Sequence, residues 1–319
     1  MESTADVTWH PVATADTTLT SYWLNWRFFL CAIWVLLGMT FASVLIWRKK
    51  EKNNGDDEES ELRLYSEETW RPCFKYLHPL WLLVFRIFAL FFMVVLLVYA
   101  LFIEGPKLLY YYTQWTFSLV TLYFSVGVVL SVHGCLMDSK NRKLGNTVNE
   151  KSSCERGSYE GIHSRFNHPA DKLAYAFQII YQVSAGAVML TDSVFWFVIV
   201  PFLEYEDYTI SLVTISMHSM NAVFLFGDAS LNCMRFPWYR IGYFFLWTIL
   251  YVLFMWLVHS CFDLWWPYPF LDLSSSYSPL WYFLVGVMHF PCYGVFSLFL
   301  KIKHVLLSKW FPDSYECLR

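Results

Sequence analysis

The sequence predicts an all-α, polytopic integral membrane protein with about seven transmembrane helices, its N-terminus outside and its C-terminus cytoplasmic. Three observations predict it. Charged residues make up only 15% of the 319 and hydrophobic residues 57%, whereas a soluble domain carries about 25% charged residues to cover its surface. Seven apolar stretches are long enough to cross a hydrocarbon core of about 30 Å, which takes about 20 helical residues. Basic residues crowd into alternate connecting segments, as they do on the cytoplasmic side of membranes. The balance of 23 basic against 26 acidic residues leaves no basic footprint, so nucleic acid is not a partner. The apolar content also excludes disorder over most of the length.

The spans lie at about 28–47, 80–103, 108–132, 173–202, 208–232, 239–263 and 280–306. They divide the chain into a non-cytoplasmic tail (1–27), a first span (28–47), a charged cytoplasmic loop (48–79), a six-span membrane domain (80–306) and a cytoplasmic tail (307–319). Residues 1–26 contain no Lys or Arg, so no charged leader precedes span one, which reads as a retained anchor. The loop after it holds Arg48, Lys49, Lys50, Lys52, Arg63, Arg71 and Lys75. Its acidic run, Asp56 to Glu61, reads as solvated, because like charges repel. Span two carries Arg86 near one end, where a long side chain snorkels to the headgroups. Only Lys107 follows it.

Span three leads into 133–172, with Lys140, Arg142, Lys143, Lys151, Arg156, Arg165 and Lys172; the stretch 144–168 reads as another solvated loop. Span four is long and holds Thr191 and Asp192, the place for a tilt or kink. Residues 203–207 and 264–279 have no basic residue, while Arg235 and Arg240 follow span five and Lys301, Lys303 and Lys309 end span seven. The eight cysteines form no disulfide framework: Cys73, Cys135, Cys154, Cys233 and Cys317 fall on the reducing side. Cys73, Cys135 and Cys233, next to span ends, read as free thiols at positions also open to acylation.

Ionisable groups inside a bilayer are expensive and default to function. At a rise of about 1.5 Å per residue, Thr116 lies ~12 Å deep, His218 and Asp192 ~15 Å and His289 ~13 Å from the outer face. Four polar groups from four helices therefore share one layer, with His259 nearer the outer end of span six. Taken singly, Thr116 would bond back to its own helix, a lone His would be packed and satisfied, and Asp192 would mark a kink. Together, a hydroxyl beside an imidazole out of bulk water is the nucleophile–base pairing of acyl transfer, with a carboxylate or second His to orient it. No Gly-x-Ser-x-Gly elbow, His-Glu-x-x-His or Gly-rich phosphate loop occurs, and this reading needs no cofactor and no metal.

The run Trp115-Thr116-Phe117-Ser118-Leu119-Val120, Met217-His218 with Asp228 ten residues on, and Trp266-Pro267-Tyr268-Pro269-Phe270-Leu271-Asp272 after His259 resemble the androgen-induced / androgen-dependent-regulator family, and its longer rolling-stone-like members most. The resemblance covers about 105–305. Members are multi-span proteins, several of which hydrolyse fatty acid esters of hydroxy fatty acids. The resemblance implies a catalytic Thr at Thr116, a His at His218 and the family's acidic residue, there a Glu, at Asp228. Rolling-stone-like members are not generally shown to be enzymes.

Three functions follow as expectations. The first is an intramembrane lipid-ester hydrolase with Thr116 as nucleophile, His218 as base and Asp192, His289, His259 and Asp228 in support. The second is a non-enzymatic signalling or adhesion/fusion factor. A rhodopsin-like receptor is disfavoured within it, since Ser131-Val132-His133 stands where an Asp/Glu-Arg-Tyr switch belongs and no Asn-Pro-x-x-Tyr ends span seven. The third is a zinc-dependent membrane hydrolase using His218, His259, His289 and Asp192. Membrane lipids are the expected partners and a lipid ester the expected substrate; no protein partner is indicated. Plasma membrane and endoplasmic reticulum both fit, and no interrupted helix pair or inverted repeat points to transport. An Asn-x-Thr acceptor engineered into 1–26 should be glycosylated in microsomes and one in 53–66 should not; the converse gel shift would invert the topology.

Overall fold

The computed structural model describes residues 15–52, 67–151, 168–202, 211–315 and 317. Six helices are long and apolar enough to cross a membrane: α1 (Trp26–Lys52), α2 (Pro79–Glu104), α3 (Tyr112–Lys151), α4 (His168–Val194), α7 (Ile241–Cys261) and α8 (Ser278–Trp310). The remaining crossing is in two pieces, α5 (Leu212–Met217) and α6 (Met220–Leu231). The protein is thus an all-helical multi-pass membrane protein. Isolated bridges, Pro72 with Asn232 and Phe74 with Tyr315, are the β-type pairing among the described residues.

Local chemistry explains the boundaries. His78 accepts a hydrogen bond from the Leu80 N–H through its side chain, and Pro79 occupies the first helical position of α2, where no N–H is needed. Gly105, at φ +66°, ends α2 in a conformation that costs other residues more. A short 3-10 turn, Gly105–Tyr110, leads into α3, so α3 starts later than the expected residue 108. It also runs much further, and 133–151, expected as loop, is helical. The acidic run 56–61, Cys154 and the remainder of the 144–168 stretch lie outside the described residues.

The expected kink in the fourth crossing falls one turn after Asp192, as a π-helical turn at Phe195–Ile199. The fifth crossing is not the continuous helix expected at 208–232. It breaks at His218 and Ser219, where the backbone leaves helical geometry. Trp196 Nε1 donates to the His218 carbonyl at 3.0 Å, giving it a partner outside its own helix.

Contacts sort the loops into two ends, matching the alternation of charge. At the end poor in basic residues, Thr17 Oγ1 donates to Phe262 O, Tyr22 Oη to Asp272 and Arg27, one of its few cations, to Ser274 O. Tyr251 Oη donates to Tyr110 O at 2.8 Å. At the basic end, Cys73 N–H donates to Leu231 O and Lys75 N–H to Ser314 O, both at 2.8 Å. An odd number of crossings separates the two termini only if α5 and α6 together make one.

Arg86 does not snorkel. It is fully buried and paired with Asp228 of α6, Nε to Oδ1 at 2.7 Å and Nη2 to Oδ2 at 3.2 Å. Nη1 donates to Thr69 O (2.6 Å), Gly127 O (3.3 Å) and Ser131 Oγ (2.7 Å). Tyr123 Oη and Asn232 Nδ2 both donate to Asp228 Oδ2. With the partner charge and a bond at each guanidinium nitrogen inside the bundle, reaching water would forfeit more than it gains. Gly127 makes room: a Cβ there would come within 3.3 Å of the Arg86 stem and 3.2 Å of Phe177.

The surrounding polar side chains continue the network. Lys303 Nζ donates to Ala229 O at 2.7 Å and to Asn232 O, capping the carbonyl end of α6. Glu68 pairs with Arg235 at 2.7 Å and accepts from Gln178. Burial pushes the Glu68 carboxyl up from its ordinary range, and the Arg235 charge beside it pulls the other way.

Asp228→Asn should lower stability by about 3–5 kcal/mol, the penalty for stranding a buried partner charge. The double variant Arg86→Met, Asp228→Leu should recover much of the loss in thermal unfolding in detergent. Equal melting of both variants would show that the pair does not act as a unit.

Candidate functional site

The half of the bundle nearer the bare end holds two separate polar groups. Asp192 of α4 and His218 at the helix break form the first, with His218 Nδ1 3.8 Å from Asp192 Oδ1. Asn221 Nδ2 and Thr191 Oγ1 donate to the same oxygen at 3.3 and 3.4 Å. The His218 ring lies flat on Phe195 with centroids 3.7 Å apart. Asp192 Oδ2 and His218 Nδ1 are buried without a hydrogen bond. Carboxylate and imidazole thus face one another at the break, within ion-pair distance and beyond hydrogen-bond distance.

The second group joins α3, α7 and α8. Tyr112 Oη and Thr248 Oγ1 lie 2.8 Å apart, as do Thr248 Oγ1 and His289 Nε2. His289 Nδ1 lies 2.8 Å from the Val285 carbonyl. A carbonyl only accepts, so Nδ1 carries the proton and Nε2 of the neutral ring is the acceptor. The Thr248 hydroxyl therefore donates to His289, and Tyr112 donates to Thr248. Phe244 and Phe245 cover the imidazole, with ring centroids 4.2 and 4.4 Å away.

The Thr248–His289 pair forms one wall of a crevice of about 70 Å³ between α1, α7 and α8. Its mouth carries Trp34 and Trp281, exposed at 39% and 42%, among other apolar side chains that face the bilayer. Gly286 lines it, and a Cβ there would meet nothing within 4 Å.

The segment 262–277 closes the bare end over this crevice. Phe270 and Leu271 line it, and the Leu271 carbonyl accepts from Tyr282. Tyr268 Oη lies 3.2 Å from Thr113 Oγ1. Trp266 stacks on His259 at 3.7 Å, and its Nε1 donates to Tyr22 Oη at 3.0 Å. Tyr22 Oη also accepts from Leu273 N–H and donates to Asp272, so this one hydroxyl ties the N-terminal segment to the cover.

The expected site residues thus separate. Thr116 is fully buried beside the Tyr112 hydroxyl, yet its Oγ1 makes no well-formed hydrogen bond, to His218 or to its own helix. Thr121 and Thr191 do bond back, to Phe117 O and Ala187 O. His218 pairs with Asp192, and His289 with Thr248. His259 is buried against Trp266, with Nδ1 on Met255 O. Asp228 belongs to the Arg86 network and not to the layer, because ten residues of helix separate it from His218. Among the described residues no three His, Cys, Asp or Glu side chains converge on one point, which overturns the zinc ligand set.

Thr248 was not foreseen. Counted from residue 263, Thr248 lies ~22 Å deep, below the layer, by the helical rise; α7 ends at Cys261, which lessens the gap. No known protein family, curated protein or solved structure matches the chain.

Tyr22→Phe should strand two buried donors and lower stability by about 1–3 kcal/mol, with faster proteolysis of residues 15–25 in detergent. An unchanged melting midpoint would remove Tyr22 as the clasp.

Proposed function

We propose that this protein is an intramembrane hydrolase of lipid esters that works through Thr248 and His289. The observation that carries the reading is the 2.8 Å hydrogen bond from Thr248 Oγ1 to His289 Nε2 at a crevice facing the bilayer. Thr248 Oγ1 attacks the ester carbonyl carbon as its proton passes to Nε2. The Tyr112 hydroxyl, already beside Oγ1, supports the negative charge that develops at the reacting centre. The imidazolium then gives its proton to the leaving alkoxide oxygen, producing an acyl-threonine and an alcohol. Water, deprotonated by the same Nε2, releases the fatty acid. The Val285 carbonyl does the orienting that a carboxylate does in other triads, by holding Nδ1–H.

This keeps the reaction class implied by the resemblance and moves it from Thr116 and His218 to a hydroxyl and imidazole in hydrogen-bond contact. A second reading, a non-enzymatic signalling factor, draws support from α3. Its 40 residues reach about 60 Å by the helical rise, twice the hydrocarbon thickness, and make a stalk for a partner beyond the membrane.

Labelling of the detergent-solubilised protein with a fluorophosphonate, with lipid-ester turnover alongside, should be abolished by Thr248→Ala and reduced at least 100-fold by His289→Ala. Gly286→Leu, which fills the crevice beside the pair, should block turnover while the protein still melts cooperatively. Loss of labelling in Thr116→Ala and His218→Ala, with Thr248→Ala active, would return the chemistry to the first-expected pair. No labelling and no turnover in folded wild type would leave the signalling reading.

A further inference from the structure

The C-terminal tail is fastened to the basic end across one buried thiol. Cys73 is fully buried, its backbone N–H on Leu231 O and its Sγ donating to Ser230 O at 3.3 Å. The next residues carry the tail: Phe74 bridges to Tyr315, their rings edge to face, and Lys75 N–H donates to Ser314 O. Tyr315 Oη bonds His304 Nδ1. Two residues on, Cys317 is joined by a disulfide to Cys233, 84 residues away in sequence. Cys233 is therefore neither a free thiol nor an acylation site in this state, which corrects the expectation from span position.

This bond sits where the charge pattern places the reducing compartment. Arg48, Lys49, Lys75, Arg235, Lys301 and Lys309 all gather at this end, the cytoplasmic one by the charge rule. Disulfides there are mostly transient or redox-sensing. The helices it adjoins are held without it: Lys303 and Asp228 already fix Asn232, next to Cys233. Cys317 is also less buried than Cys233, so it is the half of the bond nearer the surface.

We infer that Cys233–Cys317 is a reversible thiol–disulfide site that latches the tail over Cys73 and opens by exchange with a small thiol of the glutathione class. The thiolate attacks the Cys317 sulfur, forming a mixed disulfide and releasing Cys233 as its thiolate, which takes up a proton. A second small thiol attacks the mixed disulfide, freeing Cys317. Two small thiols are oxidised to their disulfide, two cysteines are reduced, and the two protons move from the former to the latter. With the latch open, residues 311–315 lose the covalent hold at Cys317 and Cys73 loses its cover.

The test is site-resolved maleimide alkylation of the full chain in membranes, read by peptide mass spectrometry. Without thiol, Cys73, Cys233 and Cys317 should all stay unmodified. After reduced glutathione at millimolar concentration, all three should react while Cys31 and Cys292, buried in the bundle, stay protected. In Cys317→Ser, Cys73 should react with no thiol added. Reaction of Cys233 and Cys317 before reduction, a pair that yields only to denaturant, or protection of Cys73 in Cys317→Ser would each overturn the inference. Should Cys317→Ser unfold, Cys31 and Cys292 would react as well, and the wild-type arms alone decide.

Discussion

The fold turns on one ion pair, Arg86 with Asp228. Two opposite charges at the inner end of the bundle are tolerable only together, and only if every remaining donor and lone pair is used. That requirement draws in α3, through Tyr123, Gly127 and Ser131, and the segment before α2, through Thr69. It also sets the height of α6 against α2. Once α6 is pinned there, Lys303 closes its carbonyl end and the chain turns at Asn232 to run past Cys73. The same pinning leaves the rest of the crossing to begin a separate short helix, α5, with His218 at the joint.

Toward the other end the polar groups follow a different rule. Tyr112, Thr248, His289 and the Val285 carbonyl form a line of neutral hydrogen bonds, each donor meeting one acceptor. Such a line needs no counter-charge, so it can lie next to a crevice lined by Trp, Phe and Leu. The Asp192–His218 group carries ionisable partners on both sides and instead sits where the backbone is irregular, between the break and the π turn. The segment 265–271 contributes by packing: Trp266 covers His259, Tyr268 holds Thr113, and Phe270 and Leu271 close the crevice. Its aromatic and proline content suits a cover whose backbone is short of regular partners.

Much of this was legible one residue at a time, and the misses share a cause. The depth argument grouped Thr116, Asp192, His218 and His289 by height alone, yet depth says nothing about which side of a helix a residue faces. Thr116 and His218 were matched by height, while Thr248, which was not among the candidates, is the hydroxyl that meets His289. Arg86 looked like a residue with a route to the headgroups because its partner lies 142 positions away. Cys233 looked like an interfacial thiol because its partner lies in a tail with no regular pattern. The stretch 208–232 shows no Pro or Gly before Gly227, so no helix breaker announces the break at His218.

By itself the sequence determined what depends on transfer from water to lipid. That covers the all-helical class, the crossings, the grouping of loops into a basic and a bare end, and the rarity that marks His218, Asp192 and His289 as consequential. These follow from composition averaged over about 20 residues, a quantity that varies along the chain and tolerates errors of a few positions. Only the tertiary structure decided which polar groups meet: Arg86 with Asp228, Thr248 with His289, Cys233 with Cys317. Pairing depends on the rotation of each helix and on distances of a few tenths of an ångström. Lipid is indifferent to which apolar face it touches, so the packing of neighbouring helices sets that rotation.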